Sequence, residues 1–259
     1  MVESISDGDV QRFLDDGAIT IDTPLAPAAI QAGAASVDAR LPFVAPVGNA
    51  PANYRYGETC SFFDPGLVTL IEHPFFEDTA RRILDADDVR IFQTAITTVY
   101  PQPDAQWGFE QHVDVIYRED DWRAQPRRVI CTFFLWLSDV NSRRGPMVCR
   151  PGSHRLLART GGRGHPQVAG VGLDALPRHD YGEPALVLAR AGQVSVVTTG
   201  MVHGASTNVD DQPRRALVMT YTARGVRVDL PAEQEIDRRR YLRTLREHLT
   251  PARRHIAER

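Results

Sequence analysis

The stretch from about residue 88 to residue 224 constrains the fold most, because it consists of short β-like runs separated by turn signals. Val, Ile, Thr and aromatic residues are frequent in each run, and Pro, Gly, Asn or Asp residues follow it. Helical patterns occur mainly before and after this stretch. The sequence therefore predicts a mainly β fold with a closed or two-sheet core such as a jelly roll. The candidate strands are residues 90–100, 107–118, 127–138, 145–150, 185–189, 192–198, 200–203 and 214–223.

Helices are expected on both sides of this β core. Residues 6–16 have apolar positions at helical spacing, with Ser6 as the N-cap and Gly17 as the stop, and a short strand follows at 18–21. Inside the core, residues 155–182 are long and rich in glycine, which is typical either of a lid over a site or of disorder. The other predicted helices lie near residues 26–40, 66–72, 75–85 and 232–249, and residues 42–60 read as a loop.

Composition excludes several classes of function. A net charge of −3 and the lack of a long apolar run argue against nucleic acid and membrane partners. The first residues have no basic and apolar regions typical of a signal peptide, and three cysteines are too few for a disulfide framework, so we expect a cytoplasmic protein with reduced thiols. The chain has no lysine, which excludes a P-loop lysine and a Schiff-base lysine. The sequence does not indicate an oligomeric state.

His112 and Asp114 are the first candidate site residues. They lie two positions apart in an alternating run, so on a strand both side chains would project from one face. Taken alone, the pair is explained as well by a hydrogen-bonded pair in the core. His203, in a later apolar run, is open to the same interpretation. Two histidines and one carboxylate are also the ligand set of the facial triad that binds non-heme Fe(II).

Two further segments complete the pattern. Residues 145–154 read Gly-Pro-Met-Val-Cys-Arg-Pro-Gly-Ser-His, which predicts a strand that ends in a tight turn. After His203, a loop leads to the strand that begins at Arg214. On that strand Arg214 shares a face with Ala216, Val218 and Thr220, so its side chain can point inward, whereas Arg215 points to the opposite face. A buried arginine needs an anionic partner, and a carboxylate suits it best.

In this order, the motifs resemble the phytanoyl-CoA dioxygenase family of Fe(II)/2-oxoglutarate-dependent oxygenases. They are H-x-D at residue 112, G-P-x-x-x-x-P-G-S-H at 145, H-G-x-x-x-N at 203 and an arginine eleven residues after His203. The resemblance covers about residues 5–225. It implies a single domain, 1–259, whose core at about 88–224 is a cupin-like double-stranded β-helix with N-terminal helices and a C-terminal helix packed around it.

The resemblance also implies the chemistry of the site. His112, Asp114 and His203 match the Fe(II) ligands, and Arg214 matches the residue that pairs with the far carboxylate of the cosubstrate 2-oxoglutarate. The expected reaction uses O2 to hydroxylate an unactivated C–H bond of a small molecule, with release of succinate and CO2. Halogenases similar to this family have Gly or Ala in place of the carboxylate, so the presence of Asp114 favours hydroxylation, although desaturation or cyclisation stays open.

The chain departs from the family at one position. Members commonly carry a serine two residues after the second histidine, where it helps to hold the cosubstrate carboxylate, but this chain has Ala205. Thr132 and Thr98, on neighbouring predicted strands, are candidates to compensate. For the substrate pocket, we expect contacts from the aromatic residues Tyr100, Tyr117 and Phe134.

Two other functions are compatible with the motifs. A cupin-like metalloenzyme that does not use 2-oxoglutarate would share the strands and the metal ligands but would not need an inward-pointing Arg214. A catalytically inactive binding module would keep the fold and lose the chemistry. The complete set of His112, Asp114, His203 and Arg214 favours the oxygenase.

Overall fold

The computed structural model describes residues 5–43, 54–57, 59–160 and 167–258, and for 54–57 and 167–169 only the backbone. Eleven strands in these residues form two antiparallel sheets. Their bounds are β1 Ala18–Ile21, β2 Tyr54–Gly57, β3 Val89–Val99, β4 His112–Ile116, β5 Cys131–Trp136, β6 Met147–Cys149, β7 Gln167–Gly172, β8 Ala185–Val187, β9 Val194–Thr198, β10 His203–Ala205 and β11 Arg214–Ala223.

Seven α-helices accompany the strands in the described residues. They are α1 Asp7–Asp16, α2 Pro27–Arg40, α3 Pro65–Ile71, α4 Pro74–Leu84, α5 Glu119–Arg123, α6 Ser153–Thr160 and α7 Ala232–His248. Two 3-10 turns, Leu173–Ala175 and Pro251–Ala257, complete the regular structure of the described part. None of the helices described is long and apolar enough to cross a membrane.

The two sheets face each other, and the larger one has the strand order β1-β9-β5-β11-β3-β2. The smaller has the order β7-β4-β10-β6-β8. An apolar cluster between them joins Phe134, Trp136 and Val218 of the larger sheet to Met147 and Cys149 of the smaller one. The two-sheet core that the sequence predicts is therefore present, and each predicted strand overlaps an observed one.

The outer face of the larger sheet is covered by helices, which explains the continuous apolar sequence of β5. Phe134 and Trp136 point toward the smaller sheet, while Phe133 and Leu135 belong to the largest apolar cluster with Phe76 of α4. A strand that is buried on both faces reads as an unbroken apolar run. The same cluster includes residues of α1, α2, α3 and α7, so these helices pack against the larger sheet.

Local signals set the ends of α1 as the sequence predicts. The Ser6 side chain caps the first turn, and Gly17 ends the helix with a left-handed φ of 84°. A Cβ on Gly17 would lie 2.7 Å from Nδ1 of His154, so this glycine also permits the close contact between α1 and α6. The chain can then enter β1, which pairs with β9 at the edge of the larger sheet.

Three expectations are corrected by the structure. Helices contain more of the described residues than strands do, so the mainly β class is too narrow. Residues 155–182 include most of α6, the strand β7 and a 3-10 turn rather than one long lid, with 161–166 outside the described residues. The predicted loop 42–60 contains β2, while 44–53 and 58 lie outside the described residues.

Candidate metal centre and cavity

Strands β4 and β10 bring His112, Asp114 and His203 together. His203 is directly opposite His112 in the antiparallel register, so their side chains lie on the same face. Asp114 follows two residues after His112 and projects from that face too. The close approach of β10 depends on Gly204, since a Cβ there would lie 1.8 Å from the carbonyl oxygen of Glu110.

The geometry of these three side chains fits a metal ion. Nε2 of His112 lies 3.1 Å from Oδ1 of Asp114, and Nε2 of His203 lies 3.4 Å from Oδ2. One ligand atom from each residue falls within 4.8 Å of the others. Neighbouring ligands of an octahedral ion with bonds of about 2.1 Å lie about 3 Å apart, so small adjustments would admit the ion. Two histidines and one carboxylate match the Fe(II) facial triad.

Backbone contacts help to position two of the three candidate ligands, His203 and Asp114. Nδ1 of His203 lies 2.8 Å from the carbonyl oxygen of Met201. A proton on Nδ1 satisfies this contact and leaves the Nε2 lone pair directed at the site. The backbone N–H of Asp114 donates to the carbonyl oxygen of Thr199 at 3.1 Å. The Thr199 hydroxyl is in turn 3.2 Å from the hydroxyl of Tyr117.

The electrostatics favour an ionised Asp114. Burial alone would raise the pKa of its carboxyl group, but the charge that His203 carries when its Nε2 is also protonated, with hydrogen bonds from both histidines, holds that pKa well below its usual range. Burial lowers the pKa of His203, and the Asp114 carboxylate more than offsets this, so the net change is upward. An ionised carboxylate beside two imidazoles is a suitable environment for a divalent cation.

The three side chains line a cavity of about 570 Å³ between the two sheets. Arg214 lines the same cavity and is only 2% exposed. Its Nη1 donates to the carbonyl oxygen of Gly145 at 2.7 Å, and its Cζ lies 5.3 Å from the centroid of the Trp136 ring. Arg214 thus presents a fixed positive charge to a bound molecule. Arg215 points outward, where Nη2 donates to Asp38 of α2 at 2.8 Å, as the alternation predicts.

Only some of the other predicted residues line the cavity. Phe134 and Thr132 do. Thr132 is nevertheless distant from Arg214. It pairs with Thr220 on β11, and Thr220 lies about 13 Å along that strand from Ala216, which is itself two residues after Arg214. Thr98 pairs with Arg215 and so faces outward, which contradicts its proposed role in holding the cosubstrate.

The two predicted tyrosines serve the fold instead of the substrate pocket. The hydroxyl of Tyr100 donates to the carbonyl oxygen of Pro42 at 2.7 Å. The hydroxyl of Tyr117 accepts from the backbone N–H of Ile130 at 3.0 Å, and its burial raises the pKa of the phenol. Neither residue lines the cavity described here. Tyr117 instead supports Thr199 and through it Asp114.

Several residues that line the cavity were not predicted from the sequence. Thr220 could have been predicted, because strand alternation places it on the same face as Arg214. Gln93 shares that face through its pairing with Thr220. Leu230 and Gln234, before and within the first turn of α7, also line the cavity. No pattern in the sequence indicates that the start of this C-terminal helix reaches a site formed by the sheets.

The motif residues that are not candidate ligands stabilise the site. Ser153 accepts a hydrogen bond from the backbone N–H of Val202 at 2.9 Å, directly before His203. The side-chain amide of Asn208 donates to the carbonyl oxygen of Val99 at 3.0 Å, which fixes the turn between β10 and β11. Ala205 lines the cavity, whereas Ser206 does not, and the Ser206 hydroxyl donates to the carbonyl oxygen of Pro146. Ser206 therefore does not replace the serine that the family commonly carries at position 205.

Solved structures share this fold. The α-ketoglutarate-dependent carbocyclase SnoK from nogalamycin biosynthesis is 20% identical, with a TM-score of 0.62 over 85% of this chain and 84% of SnoK. EctD from S. alaskensis with 2-oxoglutarate and 5-hydroxyectoine is 19% identical, with a TM-score of 0.58 over 87% and 78%. HygX from Streptomyces hygroscopicus with nickel and 2-oxoglutarate is 14% identical, with a TM-score of 0.58 over 86% and 88%.

At the level of sequence, no curated protein matches the chain significantly. The model of one family, phytanoyl-CoA dioxygenase (PhyH), matches residues 13–216. That range includes His112, Asp114, His203 and Arg214, and it ends within β11. The match spans most of the chain and both sheets, and the protein therefore belongs to the phytanoyl-CoA dioxygenase family.

Proposed function

We propose that the protein is an Fe(II)- and 2-oxoglutarate-dependent dioxygenase that hydroxylates an unactivated C–H bond of a small molecule and releases succinate and CO2. The observation that carries this proposal is the presence of the three candidate ligands and Arg214 in one cavity. Family membership and the solved structures that contain iron or 2-oxoglutarate support it. The two-sheet core is then the double-stranded β-helix that the sequence motifs imply.

Each group has a defined task in this proposal. His112, Asp114 and His203 would hold Fe(II) and leave coordination positions for 2-oxoglutarate and O2. When bound, the iron and the cosubstrate supply the oxidising chemistry. The carbonyl oxygen of Met201 keeps His203 in the tautomer that can bind the metal. Arg214 would pair with the far carboxylate of 2-oxoglutarate, held in place by Gly145 and the Trp136 ring.

The carboxylate ligand and Arg214 distinguish the proposal from its alternatives. Asp114 occupies the position that the halogenases leave without a carboxylate, which favours hydroxylation over halogen transfer. A metalloenzyme that does not use 2-oxoglutarate has no need for an arginine buried in the cavity wall. The complete ligand set speaks against an inactive binding module. Incorporation of one oxygen atom from labelled O2 into the product would distinguish hydroxylation from cyclisation or epimerisation.

Arg214 and Arg215 provide a matched test. We expect Arg214→Gln to weaken 2-oxoglutarate binding by at least about 30-fold, because removing one partner of a buried ion pair typically costs 2–5 kcal/mol. Arg215→Gln removes an equal charge from the outer face of the same strand and should leave the affinity within about twofold. Calorimetry with Mn(II) as the metal and without O2 measures both affinities.

The metal affinity of each variant serves as the internal control. The metal affinity should remain unchanged in both variants, since neither arginine is one of the three candidate ligands. Circular dichroism checks that Arg214→Gln is folded. A folded Arg214→Gln variant with the 2-oxoglutarate affinity of the wild type would refute the proposed role of Arg214.

A further inference from the structure

The part of the cavity that lies away from Arg214 along β11 is a region that we call the distal arm. Its polar side chains are Gln93, Thr132, Thr220 and Gln234, and its apolar side chains are Phe92, Ile130 and Leu230. A five-carbon diacid that reaches from the metal to Arg214 leaves this arm empty. We propose, on the basis of the proposed function, that the distal arm selects an uncharged, partly apolar substrate that carries an alcohol, ketone or amide group.

The arm has a row of neutral hydrogen-bonding groups across its floor. Gln93, Thr220 and Thr132 pair side by side on β3, β11 and β5, so neighbouring members are about 4.8 Å apart. The hydroxyl oxygens of Thr132 and Thr220 lie 3.4 Å from each other, and either can donate. Such a row can both donate to and accept from a ligand oxygen or amide.

The two carboxamides of the arm are available to a ligand. Among the residues that the structure describes, neither the Gln93 nor the Gln234 side chain forms a hydrogen bond. A carboxamide at a cavity wall gains from a ligand that satisfies its donors and its acceptor. Gln93 is half-buried and Gln234 is exposed, so a ligand with a matching polar group can replace the water that these carboxamides otherwise contact.

Among the residues that the structure describes, no charged side chain lines the arm itself. In the same residues, the charged side chains on the cavity wall are those of the three candidate ligands, Arg214 and the exposed Glu110. Arg238 lies behind the arm, 4.7 Å from the centroid of the Phe92 ring, but its Nε donates to Glu235 at 2.8 Å. A carboxylate or ammonium group would therefore lose hydration in the arm and would gain no partner of opposite charge from the described part of the chain.

Three probes of one shape and different charge test this inference. They are cyclohexanecarboxamide, cyclohexanecarboxylate and cyclohexylmethylammonium, each offered to the protein loaded with Mn(II) and 2-oxoglutarate. The paramagnetic relaxation of the probe protons reports both the affinity and the proximity to the metal. We expect the carboxamide to bind at least about tenfold more tightly than either ion.

Variants connect the preference to the arm. The double variant Gln93→Leu/Gln234→Leu should weaken carboxamide binding by about tenfold and leave the two ions unchanged. Gln11→Leu, on the exposed side of α1, is the control and should change nothing. Equal or tighter binding of an ion, no binding of the carboxamide, or an unchanged preference in the double variant would overturn the inference.

The same samples separate this inference from the proposed function. Their affinities for Mn(II) and 2-oxoglutarate are measured before the probes are added. If Mn(II) and 2-oxoglutarate bind but the probe affinities do not follow the expected order, the substrate class is wrong and the proposed function stands. If neither Mn(II) nor 2-oxoglutarate binds, the proposed function fails and this inference fails with it.

Discussion

At the scale of single residues, Ala205 is the most informative departure from the family motifs. It lines the cavity and pairs with Met147, two residues from Gly145, whose carbonyl oxygen accepts a hydrogen bond from Arg214. A hydroxyl at position 205 would thus point into the end of the cavity assigned to the far carboxylate of 2-oxoglutarate. The Thr132 hydroxyl cannot take this place, because it lies at the other end.

Ala205→Ser should therefore tighten 2-oxoglutarate binding. One added hydrogen bond to a carboxylate contributes about 1.4 kcal/mol, which corresponds to about tenfold in affinity. Calorimetry with Mn(II) measures the change, with Ala191→Ser on the exposed surface as a control. An unchanged or weaker affinity of Ala205→Ser would show that the carboxylate does not lie beside residue 205.

At the scale of secondary-structure elements, α6 connects the site to α1. The hydroxyl of its first residue, Ser153, accepts a hydrogen bond from the backbone N–H of Val202, next to His203. Nε2 of His154 lies 3.1 Å from the carbonyl oxygen of Leu14 in α1. Nδ1 of His154 is buried beside Gly17 and has no hydrogen-bond partner in the described residues. Protonation of Nδ1 would place a buried charge there without an acceptor.

This arrangement predicts a loss of stability in acid. Burial, with a smaller effect of the Arg155 charge, lowers the pKa of His154 to about 4, against about 6.5 in the unfolded chain. The neutral histidine contributes stability fully above about pH 6.5, and this contribution of up to about 3 kcal/mol is lost as the pH falls from 6.5 toward 4.

Unfolding in urea at a series of pH values measures this contribution. His154→Gln can keep the hydrogen bond to Leu14 and does not titrate, so it should lose less stability than the wild type between pH 7 and pH 4. His179→Gln, at an exposed position, should follow the wild type. Parallel curves for wild type and His154→Gln would contradict the prediction.

The elements differ in how far the sequence determines them. The ends of α1 follow from Ser6 and Gly17, which are local signals, and β5 follows from its own apolar run. The edge strand β7 could not be predicted, because a glycine-rich segment becomes a strand only through pairing with β4. Thr98 was misplaced for a similar reason, since the face of a strand residue depends on its register with β11.

At the scale of the whole molecule, a buried ionic cluster ties the C-terminal segment to the helical layer. Glu77 of α4 is 2% exposed, and its carboxylate lies 2.6 Å from Nη2 of Arg81 and 3.0 Å from Nε2 of His255. Arg253 completes the cluster at 2.5 Å. The 3-10 turn at Pro251–Ala257 is held in this way and places Ile256 in the largest apolar cluster.

Glu77→Gln should destabilise the whole fold. Removing the buried carboxylate takes away the shared partner of Arg81, Arg253 and His255, at a cost of about 3 kcal/mol. Asp78→Asn, next to it on the exposed side of α4, should change the free energy of unfolding by less than about 0.5 kcal/mol. Urea unfolding measures both variants, and equal stabilities would show that the cluster does not hold the C-terminal segment.

The candidate metal ligands were predictable from sequence because each lies in a short motif, and Arg214 because strand alternation directs it inward. The distal arm was not, because Gln93, Thr220 and Gln234 come together only when β3, β11 and α7 have packed. The metal and cosubstrate chemistry is thus encoded locally, whereas the proposed substrate preference depends on the tertiary structure.

An Fe(II) titration by calorimetry without O2, in buffer free of chloride, tests the central claim most directly. The account predicts one Fe(II) per chain in the wild type and in the control His179→Ala. His112→Ala and Asp114→Ala should each weaken binding by more than about 100-fold. Substituting a residue that only hydrogen-bonds to a metal ligand already lowers metal affinity by about 10–100-fold, and removing a ligand costs more. Unchanged Fe(II) affinity in both His112→Ala and Asp114→Ala would contradict the account.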